Sequence, residues 1–390
     1  MALPLSYNVK NVSVRWKSTI LAILGIALVV TVFVALSGLA SGFLHALRAT
    51  GRQDNAIIVQ RGSATELTSL IPKEQENFLV VDDRIARDAN GTPLASPEMV
   101  VVANLKHRKD GSPTNVTIRG VSPRAFEVRG GIAIAQGQGR RFTFGLDEII
   151  VGERIASRVA DLDVGGTIRM QKRDWKVTGI FNAEGGGFES EIWMDAKVLS
   201  QAFNRREMAQ SITLRMKDPA QIPSFALELQ SDPKVQVELK QEQAYYADQA
   251  GPVATNILAL TLFVSIVMAI GAVFGGMNTM YAIVAGRTRE IGTLRALGFS
   301  RRSILLSFLV ESLYIALLGG VLGYLLSLPA NGMSAAMGGP GFSEVAFAFR
   351  ITPTDQAYGL AFAGIMGVLG GLLPAVRAAR IPISSALKEA

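Results

Sequence analysis

Few side chains in this sequence could do chemistry, and their spacing excludes most reactions. There is no cysteine, and the two histidines, His45 and His107, lie far apart. Thiolate catalysis, disulfides and Cys-ligated zinc are therefore excluded, and a histidine metal site lacks a second nearby ligand. No Gly-x-x-x-x-Gly-Lys-Ser/Thr string occurs, so the P-loop manner of cradling nucleotide phosphates is missing. The glycine-rich tract at 183–191, AEGGGFESE, lacks that spacing and its lysine, and reads as a mobile hairpin tip. No pair of acidic residues is singled out as acid and base. We expect no catalytic residue and no metal ligand.

One charged string and one isolated carboxylate remain. In RTREIGTLRALG, Arg287, Thr288, Arg289 and Glu290 precede an amphipathic stretch containing Ile291, Gly292, Leu294, Arg295 and Leu297. Gly298 then breaks the helix, and Ser300 can cap the next one. A short amphipathic helix of this kind can seat in a partner's groove. Glu311 lies nine residues beyond Arg302 in an apolar run. A charge there costs on the order of 2–3 kcal/mol and faces protein. Asn278 lies nine residues before Arg287, which predicts a hydrogen bond to Glu311 within or between protomers. A proton relay is disfavoured, because relays use several ionisable groups.

The elements that position these residues are membrane spans. Of 390 residues, 49% are hydrophobic and 18% charged, with mean hydropathy +0.30, which calls for spans plus a water-exposed domain. Charge-poor runs predict spans at 18–43, 253–285, 303–329 and 355–376. The first run is too long for a signal-peptide core. The interval before Gly286 exceeds a bilayer's thickness, so the second span is expected to continue as a helix beyond the membrane.

Orientation follows from charge. Lys10, Arg15 and Lys17, the five arginines between Arg287 and Arg302, and Arg377, Arg380 and Lys388 all fall on one face, which is therefore cytoplasmic. Residues 1–17, with apolar Leu5, Val9, Val12 and Trp16, read as a cytoplasmic interfacial helix. The other segments are a cytoplasmic turn at 286–302, an extracytoplasmic loop at 330–352 and a cytoplasmic tail at 377–390. Residues 44–250 carry 27 basic and 27 acidic side chains, so the chain's net +7 sits beside the spans. That placement argues against nucleic-acid binding.

Residues 44–250 show short β-rich runs such as NAIIVQRG, SPEMVVVANLKH and SEIWMD, with helical stretches at 152–161, 195–204 and 219–231. A hairpin joins Thr167–Met170 to Trp175–Thr178 through a polar turn. The class is mixed α+β, with a length that suits two subdomains. In the spans, Gly271, Gly275, Gly319, Gly320 and Gly323 are candidate helix-packing positions.

The string RTREIGTLRALGFSRRSI, the ending GLLPAVRAARIPISSALKEA and the run at 149–181 resemble the permease subunits of MacB/FtsX-type (type VII) ABC transporters. The resemblance implies four transmembrane helices and an extracytoplasmic domain of MacB periplasmic-core type. It also implies a cytoplasmic coupling helix at 286–302, a homodimer in a bacterial plasma (inner) membrane, and two copies of a separate ATPase. ATP and Mg would sit on that partner, with no cofactor on this chain. Mechanotransmission would move an amphiphile (lipid, lipoprotein, peptide or drug), and the arrangement admits a periplasmic membrane-fusion adaptor. Alternatives are an FtsX-like transducer activating a cell-wall hydrolase and a haem exporter.

Overall fold

The computed structural model describes residues 16–205, 208–339 and 342–382. The interfacial helix expected at 1–17 and most of the tail lie outside the described residues. The chain divides into a helical unit (residues 1–42, 254–333 and 349–390) and a sheet unit (Phe43–Val253 with Ser334–Ala348).

Four helices are long and apolar enough to cross a membrane: α1 (Trp16–Arg48), α7 (Glu242–Ala285), α9 (Arg301–Ser327) and α10 (Pro353–Arg380). The short helix α8 (Thr288–Ala296) lies between α7 and α9 in sequence. Within the helical unit α9 packs against α10, and Val30, Val34, Ala316, Ala363 and Met366 share a core. Small residues make this approach close: a Cβ on Gly323 would meet the Ala27 carbonyl at 2.5 Å, and one on Gly320 would meet Ala363 Cβ at 2.8 Å. Helix α7 differs. Only 17% of its most apolar window is buried, against 39–44% for the other three, so its Leu260, Phe263 and Phe274 face outward. It begins at Glu242 and runs unbroken through Pro252, as the length of the charge-poor interval predicts.

At the start of α10, Thr352 and Asp355 form a capping box, and Asp355 also accepts from Ser37 and from Ser41. This carboxylate is 4% exposed. The TPTD string at 352–355 is the signal that identifies it.

The main sheet of this unit has ten strands among the described residues: β1 (Asn55–Gln60), β2 (Ala95–Lys106), β3 (Pro113–Val121), β4 (Ala133–Gly139), β5 (Glu148–Gly152), β6 (Thr167–Met170), β7 (Arg173–Asn182), β8 (Glu191–Asp195), β9 (Ser211–Arg215) and β10 (Val237–Gln241). Their order is β10-β1-β9-β2-β3-β8-β5-β7-β4, with β6 paired to β7. The short helices α2 (Lys73–Leu79), α3 (Ala125–Arg129), α4 (Glu153–Ala156), α5 (Ala196–Ala202) and α6 (Ile222–Ser231) accompany them.

Strand β2 is the seam. Its first residues, Ala95–Glu98, pair with β9, while Met99–Lys106 pair with β3. Among the described residues this unit carries three cores, around Ile58, Leu214 and Phe225, around Ile118, Val151 and Trp175, and around Ile57, Phe181 and Trp193. The hairpin at 167–178 forms as its alternation requires, with Ile168 opposite Trp175 and positive φ at Gln171 and Lys172, the two-residue turn that matches strand twist.

Two expectations are corrected. The tract at 183–191 is a packed turn, because Phe188 is buried against Trp193 and Tyr246, and Glu189 accepts from the Ala183 and Gly185 amides at 3.0 and 2.7 Å. The segment read as a loop at 330–352 contains a two-stranded hairpin, β11 (Ser334–Gly339) with β12 (Phe342–Ala348). Ser190 Oγ accepts from the Ala346 amide at 2.8 Å, which holds β12 against the Gly187–Ser190 turn.

Candidate functional site

Two sets of residues stand out, one in each unit. In the helical unit, Gly298 takes φ +96° after α8, and Ser300 accepts from the Ser303 amide to start α9. The turn is tied down from within. Arg287 donates to Glu290 at 2.8 Å and to Glu311 at 3.0 Å, and its guanidinium lies over the Phe308 ring at 5.2 Å. Arg287 is 8% exposed and Glu311 2%. Ile291 and Gly292 are also buried, and Arg295 donates to the Ala379 carbonyl at 3.0 Å. Burial raises the Glu290 carboxyl above its usual value.

The residues singled out from sequence therefore divide. Arg287, Ile291, Gly292 and Glu311 form an internal anchor. Thr288, Glu290, Leu294 and Arg295 are half-buried. Arg289, Leu297 and Gly298 are exposed, together with Thr293. Leu297, at 70% exposure, is an apolar side chain with nothing over it in this protomer.

The expected Asn278–Glu311 hydrogen bond within a protomer is corrected: Asn278 is exposed, and Glu311 takes Arg287 instead. A guanidinium is the stronger partner for a buried carboxylate, and Arg287 reaches it from the start of α8. Among the glycines, Gly319, Gly320 and Gly323 sit at close approaches, whereas Gly271 and Gly275 have nothing within 4 Å of a built Cβ.

In the sheet unit, charges gather at the β2 seam. Arg119 on β3 donates to Glu66 at 2.7 Å, Glu98 at 2.9 Å and Glu191 at 2.7 Å. Arg129, at the end of α3, donates to Glu98 and to Glu242, the first residue of α7. Asn55 and the Arg52 amide complete the shell of Glu242, and Tyr246 and Ser211 donate to Glu66. Burial acts to raise the Glu66 carboxyl, but Arg119 more than reverses it, and the group sits at about 2, below its usual 4.5. For Glu242 burial prevails over Arg129, and its pKa is raised. Sequence spacing could not find this cluster, because its members come from six separate elements.

Among the described residues no group of three or more His, Cys, Asp or Glu is placed to hold a metal.

Comparison with known proteins bears on both units. Residues 19–232 match the family described as MacB-like periplasmic core domain, and residues 262–383 match the FtsX-like permease C-terminal family. The macrolide export ATP-binding/permease protein MacB of Brucella abortus is 30% identical over 239 residues, covering 58% of this chain and 35% of that protein. Its Burkholderia thailandensis counterpart is 28% identical over 410 residues, covering 95% of this chain and 58% of that protein. This chain thus spans between about a third and three fifths of the length of these curated relatives. Among solved structures, the periplasmic region of MacB from Actinobacillus actinomycetemcomitans is similar with TM-score 0.37 and 15% identity, covering 55% of this chain and 98% of that one. The extracellular domain of the ABC-type transporter YknZ from Gram-positive bacteria has TM-score 0.35 and 17% identity, covering 48% and 99%.

Proposed function

We propose that this chain, which belongs to the family of permeases built from a MacB-like periplasmic core domain and an FtsX-like C-terminal domain, is the permease subunit of an ABC transporter that works by mechanotransmission. ATP and Mg are bound by a separate ATPase, and two permease copies pair with two ATPase copies. The spans sit in a bacterial plasma membrane with both termini and the 286–302 turn in the cytosol, and residues 44–250 outside.

The observation that carries this reading is the two-faced character of α8. One face offers Arg289, Thr293 and Leu297 to solvent, as a docking helix must. The other is fixed by Ile291 and by the buried Arg287–Glu311 pair, which joins the turn to α9. A push on the exposed face therefore moves α9 with it rather than flexing a loose loop. Helix α7 ends at Ala285, next to the same turn, and begins at Glu242, which the seam cluster holds. The moved cargo is an amphiphile taken up outside the membrane or from its outer leaflet. The outward Gly271–Gly275 face of α7 is where the second copy packs.

Co-purification tests the reading. The partner ATPase should be retained by wild type and lost from an Arg289→Ala/Leu297→Ala variant of unchanged melting temperature. Retention by that variant would show that α8 is not the dock.

A further inference from the structure

The sheet unit contains a cavity of about 690 Å³ that none of the mechanism above uses. Its volume falls in the range of roughly 300–1,000 Å³ that takes a drug-sized ligand. The apolar part of the wall comes from several elements. Phe43 and Leu47 come from α1, Phe188 from the packed turn, Tyr245 and Val253 from α7, and Val345 from β12.

Two features say what would fill it. The ionisable residues on the wall are Glu66, Glu191, Glu238 and Asp248 against Arg119 and Lys240, an excess of two negative charges. Arg119 is already committed to three carboxylates, and Lys240 pairs with Glu238 at 3.0 Å. No cation is left over for an anionic head, and Asp248 is exposed at the wall. The Tyr245 side chain, only 5% exposed, borders the cavity as well. Aromatic rings at Phe43 and Tyr245 also suit a cation nearby, whereas the Phe188 ring already carries the Arg129 guanidinium at 4.4 Å.

We propose that this cavity is a binding site for a cationic amphiphile, an apolar body or chain carrying a positively charged head that is paired by the surplus carboxylates. The site deepens the permease reading and rests on it for its place in transport, but binding itself needs neither ATP nor the ATPase. The two ideas can therefore fail separately.

The test uses the full chain in nanodiscs without ATPase. The probes are a photoreactive dodecylammonium and a dodecyl sulfonate carrying the same diazirine chain, with labelled peptides read by mass spectrometry. The ammonium probe should label 43–50 and 245–253 about five-fold more than the sulfonate or better, as expected for charges acting at close range in a partly desolvated site. A Glu238→Gln/Asp248→Asn variant should bring the two probes level. Val253→Trp, or Leu67→Trp from a different element should one of them fold poorly, should reduce labelling by the ammonium probe several-fold. Equal or stronger labelling by the sulfonate in wild type would overturn the charge assignment. Labelling that neither tryptophan reduces would overturn the cavity as the site.

Discussion

Arg287 and Glu311 form a buried ion pair at 3.0 Å that joins the start of α8 to α9. Arg287→Met takes the guanidinium away from the buried Glu311 carboxylate, and Glu311→Gln leaves Arg287 with Glu290 at 2.8 Å as its remaining ion pair. Removing one partner of such a pair costs about 3–5 kcal/mol, whereas removing both together costs much less. Glu311→Gln and Arg287→Met should each lower the melting temperature of the purified protein. The double variant should recover much of the loss, and a thermal-melt double-mutant cycle measures the coupling. Additive effects would mean that the two charges act independently.

The seam cluster makes an analogous claim for the sheet unit. Arg129→Ala leaves Glu98 and Glu242 without a shared cation, so a loss of about 3–5 kcal/mol is expected. Denaturant unfolding followed by Trp193 fluorescence reads it, since Trp193 lies within 5.9 Å of the Arg129 guanidinium. A change smaller than that of an exposed control such as Arg169→Ala would contradict the assigned role.

Acid sensitivity follows from Glu66. Its folded pKa of about 2 lies below the usual 4.5, so its contribution is fully present above pH 4.5 and is lost as pH falls toward 2. Glu242 has the opposite sign: burial raises its pKa, so its share is present at low pH and declines as pH rises through the carboxylate range and above. Melting temperature should therefore fall on acidification below pH 4.5, and Glu66→Gln should flatten that fall. Glu242→Gln should leave the acid limb in place. A steep acid limb persisting in Glu66→Gln would assign the effect elsewhere.

Glycine substitutions separate packing inside one protomer from packing between two. Gly323→Val drives a side chain into the Ala27 carbonyl and Val30, an overpacking that costs about 1–3 kcal/mol. A Cβ at Gly275 meets nothing within 4 Å, so Gly275→Leu should leave the melting temperature unchanged. If α7 faces a second copy, the same change should reduce the dimer fraction seen by light scattering. A full-strength Gly275→Leu dimer would remove α7 from the proposed interface.

These contrasts show what the sequence made legible. Charge-free runs located the four long helices, because a bilayer-length apolar stretch has no other simple explanation, and the 167–178 alternation located its hairpin. At residues 183–191 three glycines hide the buried Phe188 and Glu189, whose distant partners are Tyr246 on α7 and Arg154 on α4. Glu311 was recognised as an expensive carboxylate in need of a partner, but depth alone pointed to Asn278. The arginine that reaches it stands at the membrane edge, where a lysine or arginine is ordinarily counted only toward topology. The seam cluster was invisible for the same reason: sheet order, not sequence proximity, brings Glu66, Glu98, Arg119 and Glu242 together.

The central claim is that α8 is the point at which a cytosolic ATPase pushes this chain. The sequence contains no cysteine, so a single Leu297→Cys substitution provides a unique label at the exposed end of α8. With the partner ATPase in native membranes, a short bifunctional thiol crosslinker should join Leu297→Cys to the ATPase, more strongly with ATP than without. The buried Ile291→Cys control should stay unlinked. Labelling of Leu297→Cys by an impermeant thiol reagent from outside intact cells, with no crosslink to the ATPase, would contradict the account.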